Sequence, residues 1–432
     1  MKITVIVTVH NAERYLNDCL DSLIAQTFSD IEILCMDGGS TDTSLHILKE
    51  YAKKDSRVQI INDPNTSYGH KVNEGIRYAK GMYVAVLESD DMYQPDMLEK
   101  LFGIAEQYEA DYVNGDYLNI FDINGKRFQE PVKMYPESDY GKLLESSRHP
   151  EDMRQILRYW TGLFRRSFLL DNKIQMNESP GASFQDMSFR FLTSALADRA
   201  YHLDVPVYLY RVDNPGSSVY DPKKAVVIAD EFDFLKRELI KRKIENRYIW
   251  QHYYTWKYND FYGNLLRFDK TARKDLFERC YYELEKDRET LMLFDDKAFS
   301  NAIHDFLRKS REQVWEDIEE SYRQTKKEEN RRYTLLENIT DRQIVIFGCG
   351  VQGRGLFDYL KSVGADNQVL CFTDNAEELW GTELRGHFIL SPMEAIEKYP
   401  DLLYVIANKY HGEEINRQLQ RLGIKKSNIY KF

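Results

Sequence analysis

Long apolar segments are missing from this sequence of 432 residues. No run approaches the roughly 20 apolar residues that a helix needs to cross a membrane. The apolar stretch at residues 3–9 is followed directly by His10 and Asn11, so it is too short to serve as a secretory signal peptide. We therefore expect a cytoplasmic protein, and the sequence leaves open a peripheral association with the inner face of the membrane.

Cysteine is also scarce, and no two cysteines form a Cys-x-x-Cys pair. Each one lies in an apolar or helical context, which is typical of buried thiols in a reducing compartment. The pattern predicts reduced, mostly buried thiols. The five residues are Cys19, Cys35, Cys280, Cys349 and Cys371.

Positive charge is in deficit, with 59 Lys and Arg residues against 70 Asp and Glu residues and a net charge of −11. A general nucleic-acid binder normally presents a basic face, so this balance argues against nucleic acid as a partner. The remaining composition, 43% hydrophobic and 30% charged, is ordinary for a globular protein. The chain is long enough for two or three domains with a substantial core.

Residues 1–115 alternate between strand and helix patterns. Short apolar runs, of the kind buried on both faces of a sheet, alternate with residues at helical spacing such as Leu16, Leu20 and Leu23. This alternation predicts an α/β fold with a mostly parallel sheet. Such sheets bind ligands beyond the carboxyl ends of their strands. The predicted strands are 3–9, 31–36, 57–62 and 82–87.

Residues 116–222 are less regular. Asn124 and Gly125 form a dipeptide that favours a tight turn, which predicts a hairpin. We expect helices around 151–172 and 184–197, and strands at 201–205 and 207–212.

The rest of the chain divides into two further regions. Residues 223–335 are rich in charged residues, Tyr and Trp, have a single glycine and no proline, and so predict a helical region. We expect this region to be a helical connector, and a surface for self-association into a homo-oligomer is the alternative. From residue 340 the α/β pattern restarts, which predicts a small Rossmann-like domain. The expected domains are 1–222, 223–338 and 339–432.

Three carboxylates follow the fourth predicted strand within four positions: Glu88, Asp90 and Asp91. Like charges this close repel and raise one another's pKa unless a positive group lies among them. A divalent cation, Mg²⁺ or Mn²⁺, would relieve the repulsion, since it takes one or two carboxylates and bridges to phosphate oxygens. The alternative is a helix cap, because Pro95 and Asp96 look like the first turn of a helix.

Polar clusters also follow the first two strands. His10 to Glu13 follow the first strand, and the run Asp37 to Asp42 follows the second. In a parallel sheet these ends share one edge, so the clusters converge on one crevice. Asp37 can accept hydrogen bonds from a base or a ribose, and the glycines after it let a ligand approach the backbone. The clusters together predict a nucleotide-diphosphate site.

These motifs, in this order and spacing, resemble the nucleotide-sugar domain of family-2 glycosyltransferases. The resemblance covers residues 3 to about 220 and implies the GT-A fold and inversion at the anomeric carbon. The sequence departs from the family at Glu88 and Gly38, where an Asp is usual in each case. By resemblance the donor, with UDP-sugar favoured, contacts Val9, Asn11, Glu13, Asp37, Lys71, Asn73, Glu88, Ser89, Arg211 and Ser217.

The same resemblance extends to the chemistry. Asp90, as the last acid of the family's metal motif, is the main expected ligand of Mg²⁺ or Mn²⁺, with Asp91 beside it. Residues 177–191 resemble the element that carries the catalytic base, with Gln185 in place of the usual Glu and Asp186 at the base position. An inverting transfer needs such a base to take the proton of the acceptor hydroxyl. The alternative for Asp186 is an acid favoured by the helix dipole.

A second glycine motif lies in the C-terminal region. Gly348, Gly350 and Gly353 follow the strand-like run QIVIF, and Asp374 ends a second strand a little over twenty residues on. This is the arrangement of a dinucleotide-binding loop. It predicts a second nucleotide site, and a structural glycine turn without a ligand is the alternative.

The sequence thus predicts a metal-dependent inverting glycosyltransferase. Its substrate partners would be a nucleotide sugar and a hydroxyl acceptor in a polysaccharide, a lipid-linked saccharide or a protein glycan. The alternatives are an NAD-dependent oxidoreductase that uses the C-terminal loop, and a nucleotide-sugar binding protein without catalysis.

Overall fold

The structure is a computed structural model, and it describes residues 1–153, 155–294 and 297–432. These residues form two compact units. The first unit contains Met1–Leu118 and Val132–Tyr322, and the second contains Asn119–Pro131 and Arg323–Phe432. The helices up to Tyr322 thus group with the first unit, and the predicted three-part division stays a prediction.

A ten-stranded sheet lies largely in the first unit, in the order β3-β2-β1-β4-β9-β6-β10-β5, with β8 on β10 and with β7, from the second unit's segment Asn119–Pro131, on β6. Its strands are β1 (Ile3–Val9), β2 (Ile31–Asp37), β3 (Val58–Asn62), β4 (Tyr83–Glu88), β5 (Met92–Tyr93), β6 (Tyr112–Ile123), β7 (Lys126–Val132), β8 (Leu143–Leu144), β9 (Gly162–Arg165) and β10 (Ala200–Arg211). The first four strands pair in parallel, and β9 continues the sheet in antiparallel orientation. The predicted α/β fold is confirmed.

Helices lie between these strands and after β10. They are α1 (Leu16–Ile24), α2 (Ser44–Lys54), α3 (Tyr68–Tyr78), α4 (Met97–Gln107), α5 (Arg166–Asp171), α6 (Met187–Leu196), α7 (Val227–Lys241), α8 (Arg247–Leu265), α9 (Lys270–Lys286), α10 (Arg288–Met292), α11 (Lys297–Arg308) and α12 (Arg311–Ile339). Within the described residues, no helix has the length and apolar character needed to cross a membrane.

Strand register brings the polar clusters together. Val9 pairs with Asp37, and Thr8 pairs with Glu88, so the carboxyl ends of β1, β2 and β4 meet at one edge of the sheet. The strands themselves are buried from end to end up to this edge, because their side chains pack on both faces. The apolar runs therefore position the polar residues that follow them.

The region after residue 150 corrects one expectation. The predicted helix at 151–172 is instead two short 3₁₀ turns (Pro150–Asp152 and Tyr159–Thr161), the strand β9 and the short helix α5, and its Arg154 lies outside the described residues. Leu163 and Phe164 are fully buried because β9 is inserted between β4 and β6, and this long-range pairing overrides local helix propensity. The two short strands expected at 201–212 are one continuous strand, β10.

The predicted hairpin is present, with Asn124 and Gly125 at φ 51° and 77° between β6 and β7. Positive φ at both central residues is the geometry that an Asn-Gly turn favours.

Buried aromatic residues join α6 to the helices after residue 222. Phe191 of α6 stacks on Trp256 of α8 with ring centroids 5.9 Å apart, and Phe232 of α7 meets the same Trp256 at 5.2 Å. All three rings belong to one core cluster of the first unit. The predicted helical character of this region is confirmed, and its helices α7 and α8 share a core with α6.

The second unit is a smaller α/β sheet in the order β13-β14-β12-β11-β15-β16. Its elements are β11 (Ile344–Phe347), α13 (Val351–Ser362), β12 (Val369–Thr373), β13 (Glu383–Leu384), β14 (His387–Leu390), α14 (Pro392–Lys398), β15 (Leu403–Ile406), α15 (Gly412–Arg421) and β16 (Ile429–Lys431). The strands from β14 to β16 in this order pair in parallel, as in doubly wound sheets.

Candidate active site

The loops after β1 and β2 are tied to each other by side-chain hydrogen bonds. Asn11, at φ 51°, accepts a hydrogen bond at its Oδ1 from the Thr41 backbone N–H at 2.8 Å. Glu13 accepts one at Oε2 from the Thr43 N–H at 3.0 Å, at the start of α2. The backbone carbonyl of Val9 accepts from the Gly38 N–H at 2.8 Å. These contacts hold the shape of the loops that border the crevice.

Asp37 ends β2 and is 1% exposed. Its Oδ1 accepts hydrogen bonds from the Ser40 hydroxyl at 2.6 Å and from the Ser40 N–H at 3.3 Å. The carboxylate is therefore oriented by the turn that follows it.

Lys71 of α3 places a buried amine next to this turn. The residue is 3% exposed, and a Cβ atom at position 38 would clash with its Nζ. Gly38, which stands where the family often has an Asp, therefore makes room for the amine. Burial lowers the pKa of Lys71, while the carboxylates of Asp37, Asp63 and Glu88 favour its charged form.

The helix α3 also holds the segment before α6. Asn73 Nδ2 donates to the Met176 carbonyl and its Oδ1 accepts from the Met176 N–H, both at 3.0 Å. A Cβ at Gly69 would overlap the Asn177 carbonyl, so only glycine allows this close approach. The structure thus assigns the Asn73 side chain to holding the chain, and its contact with a donor stays a prediction.

Two tyrosines surround Glu88, and no motif of the sequence pointed to either of them. The hydroxyls of Tyr68 and Tyr159 both donate to Glu88 Oε1, and Thr8 Oγ1 donates to Oε2 at 3.2 Å. Burial raises the pKa of Glu88 to about 7, and the charge of Asp90 adds to this shift. Glu88, the departure from the family's Asp, has the longer side chain and is fully engaged with protein hydroxyls.

The two aspartates that follow have different surroundings. Asp91 is 1% exposed, and its carboxylate accepts from the Arg211 N–H at 2.7 Å and the Tyr208 hydroxyl at 2.8 Å. Burial, with the charge of Asp90, raises the pKa of Asp91 well above its usual range. Asp90 is half-buried and accepts one hydrogen bond from Asn214 Nδ2 at 2.7 Å. Asp90 is therefore the carboxylate with the freer geometry for a ligand.

Arg211, at the end of β10, is the positive group among these acids. Its Nε donates to the Asp90 carbonyl at 3.2 Å, and its guanidinium lies 4.5 Å from the centre of the Tyr15 ring. Ser217 is half-buried in the turn after this strand, where its N–H donates to the Asn214 carbonyl at 3.1 Å. Ser89 is half-buried between Glu88 and Asp90.

Asp186 immediately precedes α6. Its Oδ2 accepts from Arg190 Nη1 at 3.1 Å, and the side chain is 18% exposed. It makes no side-chain hydrogen bond to cap the helix. Phe184, two residues earlier, has φ 60°, a conformation that non-glycine residues rarely adopt and that clusters at functional sites.

Gln185, the departure from the family's Glu, is buried and bonded through both atoms of its amide. Its Nε2 donates to the carbonyls of Ser179 and Gly181 at 2.9 and 2.8 Å, and its Oε1 accepts from the Ser183 N–H at 2.8 Å. A carboxylate has no hydrogen to donate to two carbonyls, so this turn requires the amide.

We expect Gln185→Glu to lower the free energy of unfolding by about 1–3 kcal/mol, since two carbonyl oxygens would then face a buried carboxylate. Urea unfolding at pH 7.5 measures the loss. Gln175→Glu, a change of the same chemistry at an exposed position, serves as the matched control and should leave the midpoint nearly unchanged. Equal midpoints for the Gln185→Glu and wild-type proteins would contradict this account of the turn.

A cation would need ligands beyond the protein at this site. Among the described residues, no group of three or more His, Cys, Asp or Glu side chains is arranged to hold a metal ion. Mg²⁺ in nucleotide enzymes is commonly held by one or two carboxylates together with phosphate oxygens and water. The half-buried Asp90 beside Glu88 fits a cation shared with a bound diphosphate, and does not fit a cage made by protein alone.

The second glycine loop, Gly348–Gly353, is hydrogen-bonded to the acidic residue Asp374 directly after β12. Asp374 Oδ2 accepts from the Cys349 N–H at 2.7 Å. A Cβ at Gly353 would overlap the Gly348 carbonyl, and Gly348 itself has φ 118°. Two of the three glycines are thus required by the packing of the loop, whereas a Cβ at Gly350 would meet no neighbour within 4 Å. A nucleotide at this loop stays a prediction.

Comparison with known proteins shows which protein families two segments of the chain match. Residues 4–173 match the family described as "Glycosyl transferase family 2". The predicted resemblance is thereby confirmed for this part of the chain, which contains β1, β2, β4 and the acidic cluster, while Asp186 lies beyond it. Residues 340–430 match a second family, described as "C2185-like, N-terminal".

Curated relatives are also glycosyltransferases by name. "Uncharacterized glycosyltransferase EpsJ" of Bacillus subtilis is 32% identical over 231 residues, which are 51% of this chain and 64% of that protein. "Poly(ribitol-phosphate) beta-glucosyltransferase" of Bacillus spizizenii is 33% identical over 181 residues, 40% of this chain and 26% of that protein. This chain therefore spans less than two thirds of the length of these relatives.

A solved structure supports the fold. S. aureus TarS 1–349, crystallised in complex with UDP-GlcNAc, aligns with a TM-score of 0.51 at 20% sequence identity, covering 75% of this chain and 92% of that one. At this identity the likeness speaks for the fold alone.

Proposed function

We propose that the protein is an inverting glycosyltransferase that moves a sugar from a nucleotide diphosphate to a hydroxyl acceptor. The observation that carries the proposal is the meeting of Asp37 and Glu88 at one edge of the sheet, within the residues 4–173 that match family 2. The Tyr159 hydroxyl donates a hydrogen bond to Glu88. Its pKa is raised by burial, then by Glu88 and Tyr68, and also by the charge of Asp186, which therefore lies near this edge.

The donor in this proposal is a UDP-sugar. Asp37 accepts hydrogen bonds from the base or ribose, and the Lys71 amine next to Gly38 supplies a positive donor to the same end of the nucleotide. Asn11, Glu13 and the Val9 backbone form the wall of that pocket. TarS, a protein of similar fold, was crystallised with a donor of this class, UDP-GlcNAc.

The diphosphate would lie between the acidic cluster and Arg211, whose guanidinium offsets its charge. Ser89 and Ser217 are the proposed hydrogen-bond donors on either side. Asp90, with Glu88 beside it, would hold Mg²⁺ or Mn²⁺, and Asp91 would keep the turn in place through Arg211 and Tyr208. The cation, when bound, offsets charge on the leaving diphosphate.

Asp186 is the proposed general base. Its carboxylate takes the proton from the acceptor hydroxyl as that oxygen attacks the anomeric carbon, so the transfer needs no covalent enzyme intermediate. Arg190 orients the carboxylate through its 3.1 Å contact with Oδ2. We propose a glycan, lipid-linked saccharide or protein as acceptor, and a place of action in the cytoplasm at the inner face of the membrane.

A thermal-shift panel of nucleotide sugars, with and without Mn²⁺, tests the donor assignment. At a concentration about 100 times its dissociation constant, a specific donor should add about 2.7 kcal/mol to the free energy of unfolding. We expect this shift for UDP-sugars, larger with Mn²⁺ than without. A shift with NAD(H) and none with any nucleotide sugar would instead support an oxidoreductase, and donor binding without hydrolysis or transfer would support a binding protein.

A further inference from the structure

The segment that carries Asp186, here called the base loop and comprising residues 176–186, is held from two sides. On one side lies α3, through Asn73 and through the Tyr68 N–H, which donates to the Gly181 carbonyl at 2.8 Å. On the other side lies α7, which follows the family-matched residues by more than fifty positions. Side chains of the base loop donate hydrogen bonds to one carboxylate of α7.

That carboxylate is Glu231, which is 1% exposed. Its Oε1 and Oε2 each lie 3.0 Å from Asn177 Nδ2, and its Oε1 accepts from the Ser179 hydroxyl at 2.8 Å. All of these donors belong to the base loop. Across the described part of the chain, no Lys, Arg or His forms an ion pair with Glu231.

The surroundings of Glu231 on its own helix are apolar. Ile228, Phe232 and Leu235, on the same face of α7, are fully buried in the core of the first unit. A buried carboxylate is costly unless it is hydrogen-bonded, and an apolar residue would anchor α7 at least as well. Burial raises the pKa of Glu231 to about 7, and the charges of Asp186 and Asp230 add to the shift. The anchoring of α7 therefore does not explain why the residue is a Glu.

A short chain of hydrogen bonds leads from Glu231 to the proposed base. The Ser179 hydroxyl donates to Glu231, and the Ser179 carbonyl accepts from the Gln185 amide at 2.9 Å. Gln185 is the residue directly before Asp186. The position of the base is thus connected to α7 through two side chains and one turn of backbone.

We infer that Glu231 is a positioning residue that holds the base loop so that Asp186 faces the acceptor. The inference rests on the proposed function, since it takes Asp186 to be the base. It also assigns a role to the helices after residue 222: α7 completes the acceptor side of the site, while the donor side is built by the strands of the family-matched segment.

Glu231→Leu tests the inference, because leucine fills a similar volume in the apolar core without accepting the three hydrogen bonds. A misplaced catalytic group of this kind can cost about 10²-fold in rate, so we expect kcat for transfer to fall by about 10–100-fold. The KM for the donor and the donor-induced thermal shift should stay within about twofold of wild type. Glu231→Gln, which keeps an acceptor oxygen for the loop, should recover part of kcat.

Asp230→Asn is the matched control. Asp230 is next to Glu231 in the chain, but its carboxylate is 69% exposed and pairs with Arg279 at the surface. It should transfer sugar at the wild-type rate. Wild-type kcat in Glu231→Leu would overturn the inference. So would a loss of donor binding equal to the loss of kcat, which would indicate a general disturbance of the fold.

Hydrogen exchange of the backbone separates this inference from the proposed function. In Glu231→Leu the amides of residues 176–186 should exchange at least about tenfold faster, while those of β1 and β2 keep their wild-type protection. If the wild-type protein transfers no sugar, the proposed function fails, and this exchange pattern still decides whether Glu231 holds the loop. Unchanged exchange in the base loop would overturn the inference by itself.

Discussion

Asp186→Asn should lower the rate of glycosyl transfer by about 10²–10⁴-fold, the usual contribution of a general base. Asparagine has nearly the shape of aspartate and cannot take the proton of the acceptor hydroxyl. The donor-induced thermal shift should persist, because Asp186 is proposed to act on the acceptor. Initial rates of UDP release with acceptor present, at saturating donor and Mn²⁺, measure the effect.

The structure also predicts a side effect that must be measured. Arg190 is buried, and Asp186 is its ion-pair partner at 3.1 Å, so the substitution removes this counter-charge and leaves that of Asp260. Some loss of thermal stability is therefore expected, and rates are compared at a temperature where both proteins are folded. Asp198→Asn, beyond the other end of α6 and half exposed, is the control and should be fully active. Near-normal transfer by folded Asp186→Asn would remove Asp186 from the role of base.

Asp90→Asn should lower activity with little effect on stability, whereas Asp91→Asn should lower stability. Asp90 is half-buried and accepts one side-chain hydrogen bond, from Asn214, so its replacement should leave the fold intact. Loss of a cation that offsets several kcal/mol of developing charge should lower Mn²⁺-dependent transfer by about 10²-fold or more. The dependence of rate on Mn²⁺ concentration measures this loss.

Asp91→Asn should instead act on the fold. The Asp91 carboxylate accepts from Arg211 and Tyr208 in a buried turn, and an amide can accept at only one of its two positions. We expect a loss of about 1–3 kcal/mol in the free energy of unfolding, with the Mn²⁺ dependence retained. Asp96→Asn, at a carboxylate that is 43% exposed and paired with Lys100, is the control for both. A Mn²⁺ titration of Asp90→Asn that matches wild type would refute the assignment of Asp90.

Local patterns were sufficient for the strands and for the edge at which they end. The apolar runs at 3–9, 31–36 and 82–87 correspond to β1, β2 and β4 within one residue at each end. Their interiors are buried on both faces, where a polar side chain needs a partner, as Glu32 has in Thr4, and the polar clusters follow them at the carboxyl edge. The prediction of a helix at 151–172 was wrong, because the pairing of β9 with β4 and β6 decides the conformation there.

The functional assignment of single residues required the tertiary structure. Nothing in the run Glu88 to Asp91 distinguishes a half-buried carboxylate from one sealed by Tyr208 and Arg211, because the distinguishing groups come from β10, over a hundred residues away. The Gly38 departure became intelligible only when Lys71 was found against it.

The local pattern of the sequence determined the parallel sheet, its polar edge and the types of residue collected there, because strand propensity and alternation act over a few residues. What depended on tertiary structure was which of those residues are free to meet a ligand, and how Asp186 is held. Gln185 and Glu231 show the reason: their hydrogen bonds join segments that no local pattern connects.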